Sequence, residues 1–156
     1  MERSRSHLAG AIYGQILATS LVATLSEDES ATAGDIFFWV GVTMLVFWAA
    51  HVYANWLARQ VTTGGGLSEL GSVAAEQWPM AQAAAPALGL LLLGWAGVYS
   101  RDTAVDLAIA AGIISLTAWG VVIARRADAN QLETLATAVI SAGFGLLMVG
   151  LKILVH

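Results

Sequence analysis

A bundle of five membrane-spanning α-helices is the all-α fold class this sequence predicts, and three observations predict it. Five apolar stretches, Leu8 to Leu25, Ile36 to Ala58, Met80 to Val98, Thr103 to Ala124 and Thr134 to Val155, occupy most of the 156 residues. Each is long enough to cross, because at 1.5 Å of rise per residue a bilayer core takes about 20 residues of helix. The composition, 58% hydrophobic and 12% charged with a mean hydropathy of +0.72, leaves too little polar surface to cover a soluble fold of this size. Little chain lies between the stretches, so residues 1–156 are expected to form one integral membrane domain, with any site in or between helices.

The first stretch has the position of a signal peptide, but its length, its polar Tyr13, Gln15 and Thr19 and the four stretches that follow predict a retained anchor. Gly10, Gly14 and Ala18 mark a face along which another backbone approaches closely. On the second stretch His51, Asn55 and Arg59 follow at four-residue spacing and form one stripe running to a helix end.

The connection over residues 60–79 is the longest. After Gly64, Gly65 and Gly66, the residues Leu67, Leu70, Val73, Ala74 and Trp78 share one helical face while Glu69, Ser72 and Glu76 share another, which predicts a short interfacial helix between the second and third spans. Pro79 fits the first turn of the third span, and Pro86 is expected to kink that span one to two turns further in. Ala108 and Gly112 on the fourth stretch, and Ala138 with Ala142 or Ser141 with Gly145 on the fifth, repeat the small-residue spacing. It predicts packing within the chain and leaves a homo-oligomer open.

Lys and Arg accumulate on the cytoplasmic side of short loops. A cytoplasmic N-terminus puts Arg3, Arg5, Arg59, Arg125 and Arg126 inside and leaves Arg101 and Lys152 outside, which predicts an outside C-terminus and the acidic turn Glu27, Asp28, Glu29 facing out. Trp39, Trp56, Trp78, Trp95 and Trp119 fall near predicted helix ends, as in interfacial aromatic belts. Trp48 lies mid-helix, three residues before His51, and is read as packing, with stacking on a cation as the alternative.

Function is sought among polar groups inside the apolar stretches, because ionisable side chains there are costly and tend to face the protein interior or water. His51 lies about 12 Å in from Arg59, a depth shared by Gln15, and the two are expected to meet. Asn55 and Gln82 are placed shallower, with Arg59 and Glu76 near the same surface and able to pair. Together they predict a polar vestibule open to the cytoplasm, lined by His51, Asn55, Gln15 and Gln82. His51 is then a proton-responsive or ligand-binding group, or else a neutral imidazole bonded to Gln15 or to a helix carbonyl. On the opposite side Asp106 and Lys152 are each placed about one turn from the surface, as an ion pair or as charges suited to the dipoles of their helix ends.

Several classes are excluded. A formal charge of -4 without a basic stripe speaks against nucleic acid, and the absence of cysteine removes disulfides and thiolate metal sites. No metal and no cofactor is expected: His7 and His156 lie at opposite ends, and His7 and His51 are at unlike depths for a two-histidine haem. An intramembrane enzyme, which needs a nucleophile, base or metal constellation, is the least expected class, because only His51 and Asp106 offer chemistry and they are placed in opposite leaflets.

The string Phe47-Trp48-Ala49-Ala50-His51-Val52-Tyr53-Ala54, then Glu76-Gln77-Trp78-Pro79-Met80 with Pro86, and the ending Leu151-Lys152 to His156 resemble small polytopic membrane proteins of actinobacteria that are uncharacterised. The resemblance spans most of the chain and implies an ancient shared fold, with no activity attached. The Trp- and Pro-rich motifs of five-helix translocator proteins are missing, and Tyr13 to Thr19 lacks the Phe-Ser-Asp signature of the bacterial relatives of lysosomal potassium channels. The expectation is a multi-pass bacterial inner-membrane channel or transporter for a proton, small ion or small solute, with lipid and a second copy as partners. The alternative is a non-catalytic accessory or assembly subunit.

Overall fold

The computed structural model describes residues 2–64 and 66–126, together with positions 132, 133, 135, 136, 139, 140 and 143. Five α-helices are named over these residues, with no strand among them: α1 Glu2–Leu25, α2 Ala33–Thr63, α3 Leu70–Gln82, α4 Ala85–Trp95 and α5 Arg101–Arg126. A 3-10 turn, Leu67–Glu69, leads into α3. Three helices contain stretches long and apolar enough to cross a membrane, Leu8–Leu25, Ala33–Thr62 and Arg101–Val122. They match the first, second and fourth predicted spans. The fifth, with Lys152 and the pairs Ala138/Ala142 and Ser141/Gly145, lies outside the described residues apart from a few helical positions.

The third predicted span is corrected. Met80 to Val98 is not one helix: α3 runs through Pro79 to Gln82, the chain turns at Ala83 and Ala84, and α4 follows. Pro86 explains the position of the break. It has no N–H for the Gln82 carbonyl and its ring would strike that carbonyl in a continuous helix, so the helix ends and restarts with Pro86 in the first turn of α4, where the missing amide is not needed. Across the break Ala83 N–H donates to Pro79 O and Ala84 N–H to Ala81 O. Pro86 thus takes the helix-starting role expected of Pro79. At 11 residues α4 is about 16 Å long, too short to cross a bilayer core alone.

The short helix predicted between the second and third stretches forms, as the 3-10 turn and α3, but its predicted apolar face is divided: Val73 is buried and Ala74 half-buried, while Leu67, Leu70 and Trp78 are exposed. Val73 and Met80 are fully buried, and α3 packs along both α1 and α2. α2 ends at Gly64, whose φ of 68° is a left-handed conformation that glycine adopts without a Cβ penalty, and the chain doubles back there into a helical hairpin.

α4 then packs on α5 and α2, and α1 also packs on α5. Small residues permit these approaches. A Cβ added to Gly14 would strike the Met80 carbonyl of α3, and one added to Gly112 would strike the Thr19 hydroxyl of α1. Ala18 and Ala108 are fully buried. On α5 the buried positions Ala104, Val105, Ala108, Ile109, Gly112 and Leu116 recur at helical spacing and turn one face toward α1 and α4.

Candidate functional site

The His51 stripe runs along α2 within the apolar stretch Ala33–Thr62, and the structure gives each member a partner. The His51 Nδ1–H donates to Phe47 O at 3.0 Å, one turn back on α2, because a carbonyl only accepts. That bond leaves Nε2 as the nitrogen that carries a lone pair in the neutral ring. Across the α1–α2 seam the imidazole meets the Tyr13 ring, with centroids 5.4 Å apart and planes inclined at 43°. Asn55 donates through Nδ2 to His51 O at 2.9 Å, and one further turn on Arg59 forms an ion pair with Glu76 of α3.

Gln15 does not meet His51. It is 1% exposed and turned to the packed interior, where its Nε2 lies 3.4 Å from Thr19 Oγ1, whose own hydroxyl donates to Gln15 O at 2.8 Å. Helix geometry explains the swap. Two residues are about 200° apart around a helix, so if Tyr13 faces α2, Gln15 faces away from it. Gln82, the last residue of α3, is exposed and joins neither. The four expected lining residues are therefore divided, with His51 and Asn55 half-buried on α2, Gln15 in the core and Gln82 on the surface.

Two tryptophans tie α2 to the returning chain of the hairpin. Trp48 donates to Ala74 O of α3 at 3.2 Å and meets the Trp78 ring edge-on, with centroids 5.5 Å apart. That is the packing role expected of it. Trp56 reaches Gly66 O at 3.4 Å in the hairpin turn.

The other end of the bundle is organised by Arg101, which sequence reasoning used only to assign orientation. Its Nε donates to Ala31 O at 2.7 Å, and its Nη2 donates to Ser26 O at 2.8 Å and Asp28 O at 2.7 Å. Nη1 meets the Asp102 carboxylate at 3.0 Å. One guanidinium therefore ties the α1–α2 loop to the start of α5. A single Arg opposite the short acidic turn Glu27, Asp28 and Glu29 was the available signal, although the oxygens it binds there are backbone ones. Asp106 is exposed in the second turn of α5, and its expected partner Lys152 lies outside the described residues.

Beside this clamp is an open cleft of about 360 Å³ between Leu25, Asp28, Asp35 and Trp39. Its carboxylates are engaged locally. Asp28 accepts from the Ser30 amide at 2.9 Å and hydroxyl at 2.6 Å, and Asp35 closes a capping box with Thr32 at the start of α2. The Ser30 hydroxyl first, then its amide, hold the Asp28 carboxyl below its usual range, with a further contribution from the Arg101 charge. Among the described residues no group of three or more His, Cys, Asp or Glu side chains is placed to hold a metal ion.

No protein family, curated protein or solved structure matches the chain.

Proposed function

We propose that this chain is a multi-pass protein of the bacterial inner membrane that conducts or transports a proton, small ion or small solute, with His51 as its proton- or ligand-binding group. The observation that carries this reading is the His51 arrangement: an imidazole on a long apolar helix, fixed through Nδ1, at the inner end of the line Asn55, Arg59 and Glu76. Ionisable groups within such helices are costly in lipid and are the places where ion and proton pathways are sought. Five basic residues against two favour a cytoplasmic N-terminus, which turns the hairpin end of the bundle toward the cytoplasm. The resemblance to uncharacterised small membrane proteins of actinobacteria belongs to the same proposal.

A second reading, a non-catalytic accessory or assembly subunit, is favoured by the glycine contacts. Gly14 against Met80 and Gly112 against Thr19 close the middle of the described bundle, so conduction needs either an axis between copies in a homo-oligomer or a movement that opens this seam.

Flux of protons, potassium, sodium and chloride in proteoliposomes, wild type beside His51→Ala, separates the two readings. Selective flux that the substitution alters or abolishes supports transport through this site. Flux indifferent to His51→Ala removes the site assignment, and no flux from folded protein leaves the accessory reading.

A further inference from the structure

We propose that a second copy of this chain docks on the outer face of the α3–α4 break, with the Gln82 amides of the two copies hydrogen-bonded to each other across a two-fold axis. The proposal rests on the multi-pass membrane reading above and names the surface through which copies meet. The depth of Gln82 comes first. α3 and α4 follow α2 in antiparallel order as one interrupted crossing. Trp56 reaches Gly66 O, and Trp48 reaches Ala74 O and the Trp78 ring. Further along, a Cβ added at Gly41 would lie 4.0 Å from Leu88, and one at Gly34 would strike the Trp95 ring. Gln82 falls between the Trp48 and Gly41 levels, close to the middle of the apolar stretch Ala33–Thr62. Met80, two residues earlier, packs on Gly14, well inside the α1 stretch Leu8–Leu25. Gln82 is therefore deeper than the shallow position the sequence predicts, and it is exposed there.

An amide exposed at that depth needs a partner, because hydrocarbon offers no hydrogen bond. Among the described residues the Gln82 side chain has none, and Pro86 brings no N–H to the Gln82 carbonyl. The adjoining surface suits the approach of another helix. Ala85, Gly89, Leu92 and Leu93 are exposed on the side of α4 opposite its buried Ala87 and Leu91, and a Cβ added at Gly89 would meet nothing within 4 Å. Ala85 and Gly89 stand four residues apart, the small-residue spacing that lets two helices come close in lipid while a polar side chain bonds across the seam. A second copy fits this face better than an unrelated partner. A carboxamide both donates and accepts, so two copies related by a two-fold axis satisfy each other with the same group. α4 carries no ionisable residue, so its own face sets no like charges against each other across that axis.

The chain has no cysteine, so a single-cysteine variant reports on one position. In liposomes, Gln82→Cys and Gly89→Cys are expected to oxidise to a disulfide-linked dimer, while Val46→Cys and Ile114→Cys, exposed on α2 and α5, are expected to stay monomeric. Gln82→Leu is expected to weaken dimerisation about tenfold, read by energy transfer between labelled copies as the chain is diluted in lipid, and Gln82→Asn is expected to weaken it less. Gly89→Leu fills the notch where a side chain meets nothing of its own chain, so it is expected to weaken the dimer without unfolding the monomer, and it decides the matter if Gln82→Leu does not fold. A chain that stays monomeric, or a dimer indifferent to both leucine substitutions, overturns the proposal. So does a Gln82→Cys that cross-links to a second cysteine placed between positions 134 and 155 of its own chain. A dimer with these properties but no flux removes the transport reading and leaves the interface, whereas flux from a protein that stays monomeric removes the interface and leaves the transport reading.

Discussion

The two ends of the bundle are held by different chemistry. At the loop end one guanidinium spends its donors on three backbone carbonyls and a carboxylate, and the Asp28–Ser30 and Thr32–Asp35 bonds occupy the neighbouring acids. At the hairpin end side chains meet one another, Tyr13 with His51, Trp48 with Trp78 and Arg59 with Glu76, beside the tryptophan bonds from Trp48 to Ala74 O and from Trp56 to Gly66 O. Backbone carbonyls keep their acceptor character across the accessible pH range, whereas an imidazole changes charge near neutrality. On the proposed reading of His51, a fold that clamps one end through carbonyls and joins the other through rings and ionisable groups would confine its charge changes near neutral pH to the second.

The largest expected effect tests the clamp. Arg101→Ala removes three charge-assisted bonds to carbonyls in a loop where Ser26 is buried, and is expected to cost about 2–3 kcal/mol, read as a lowered unfolding midpoint in detergent. Arg101→Lys should recover less than half of the loss, because an ammonium lacks the planar fork that reaches Ala31, Ser26 and Asp28 together. If Arg101→Ala unfolds at the wild-type midpoint, the contrast between the ends fails.

A smaller effect is expected from the ion pair. The Arg59 side chain is 37% exposed and Glu76 is 15% exposed, so solvent screens the pair, and Arg59→Ala or Glu76→Gln should each cost about 1 kcal/mol or less. The double variant should cost little more than either alone, since both remove the same contact. Combined with Arg101→Ala, the costs should add to within about 0.5 kcal/mol, as expected of sites that share no partner. A clear departure from additivity would mean that the two ends are coupled through the α1–α5 seam.

How much of this was legible in the sequence follows from what a one-dimensional pattern carries. Apolar length located α1, α2 and α5, and four-residue spacing put His51, Asn55 and Arg59 on one stripe, because both are properties of a single helix. The Arg59–Glu76 pair was also within reach, since a hairpin returns the chain to its own end. Tyr13 was not: which face of α1 meets α2 depends on where Gly14 and Gly112 let α3 and α5 approach, a relation among helices. The break at Ala83 and Ala84 was misplaced for a local reason. Two prolines competed for one helix start, and the carbonyl that Pro86 leaves without an amide decided between them. The Arg101 clamp binds backbone oxygens, which have no signature in residue identity.

The smallest effect concerns Asp28 and separates the ends by pH. Its carboxyl is held below the usual value of 3.8, chiefly by the Ser30 hydroxyl, so the folded loop favours the charged form. The contribution is therefore complete above pH 3.8 and is lost as pH falls below it through the lowered folded value. Across neutral pH it is constant. Amide exchange at Ser30, whose N–H donates to Asp28 Oδ1, is the local readout. Asp28→Asn should speed that exchange relative to wild type by a fixed factor from pH 5 to 8, and the factor should shrink toward one as pH falls below 3.8. The variant serves as the reference because Glu27, Glu29, Asp35 and Asp102 titrate in the same acid range. A ratio that varies between pH 5 and 8 would show the loop end responding to a group other than its carboxylates, and the division of labour between the ends would have to be redrawn.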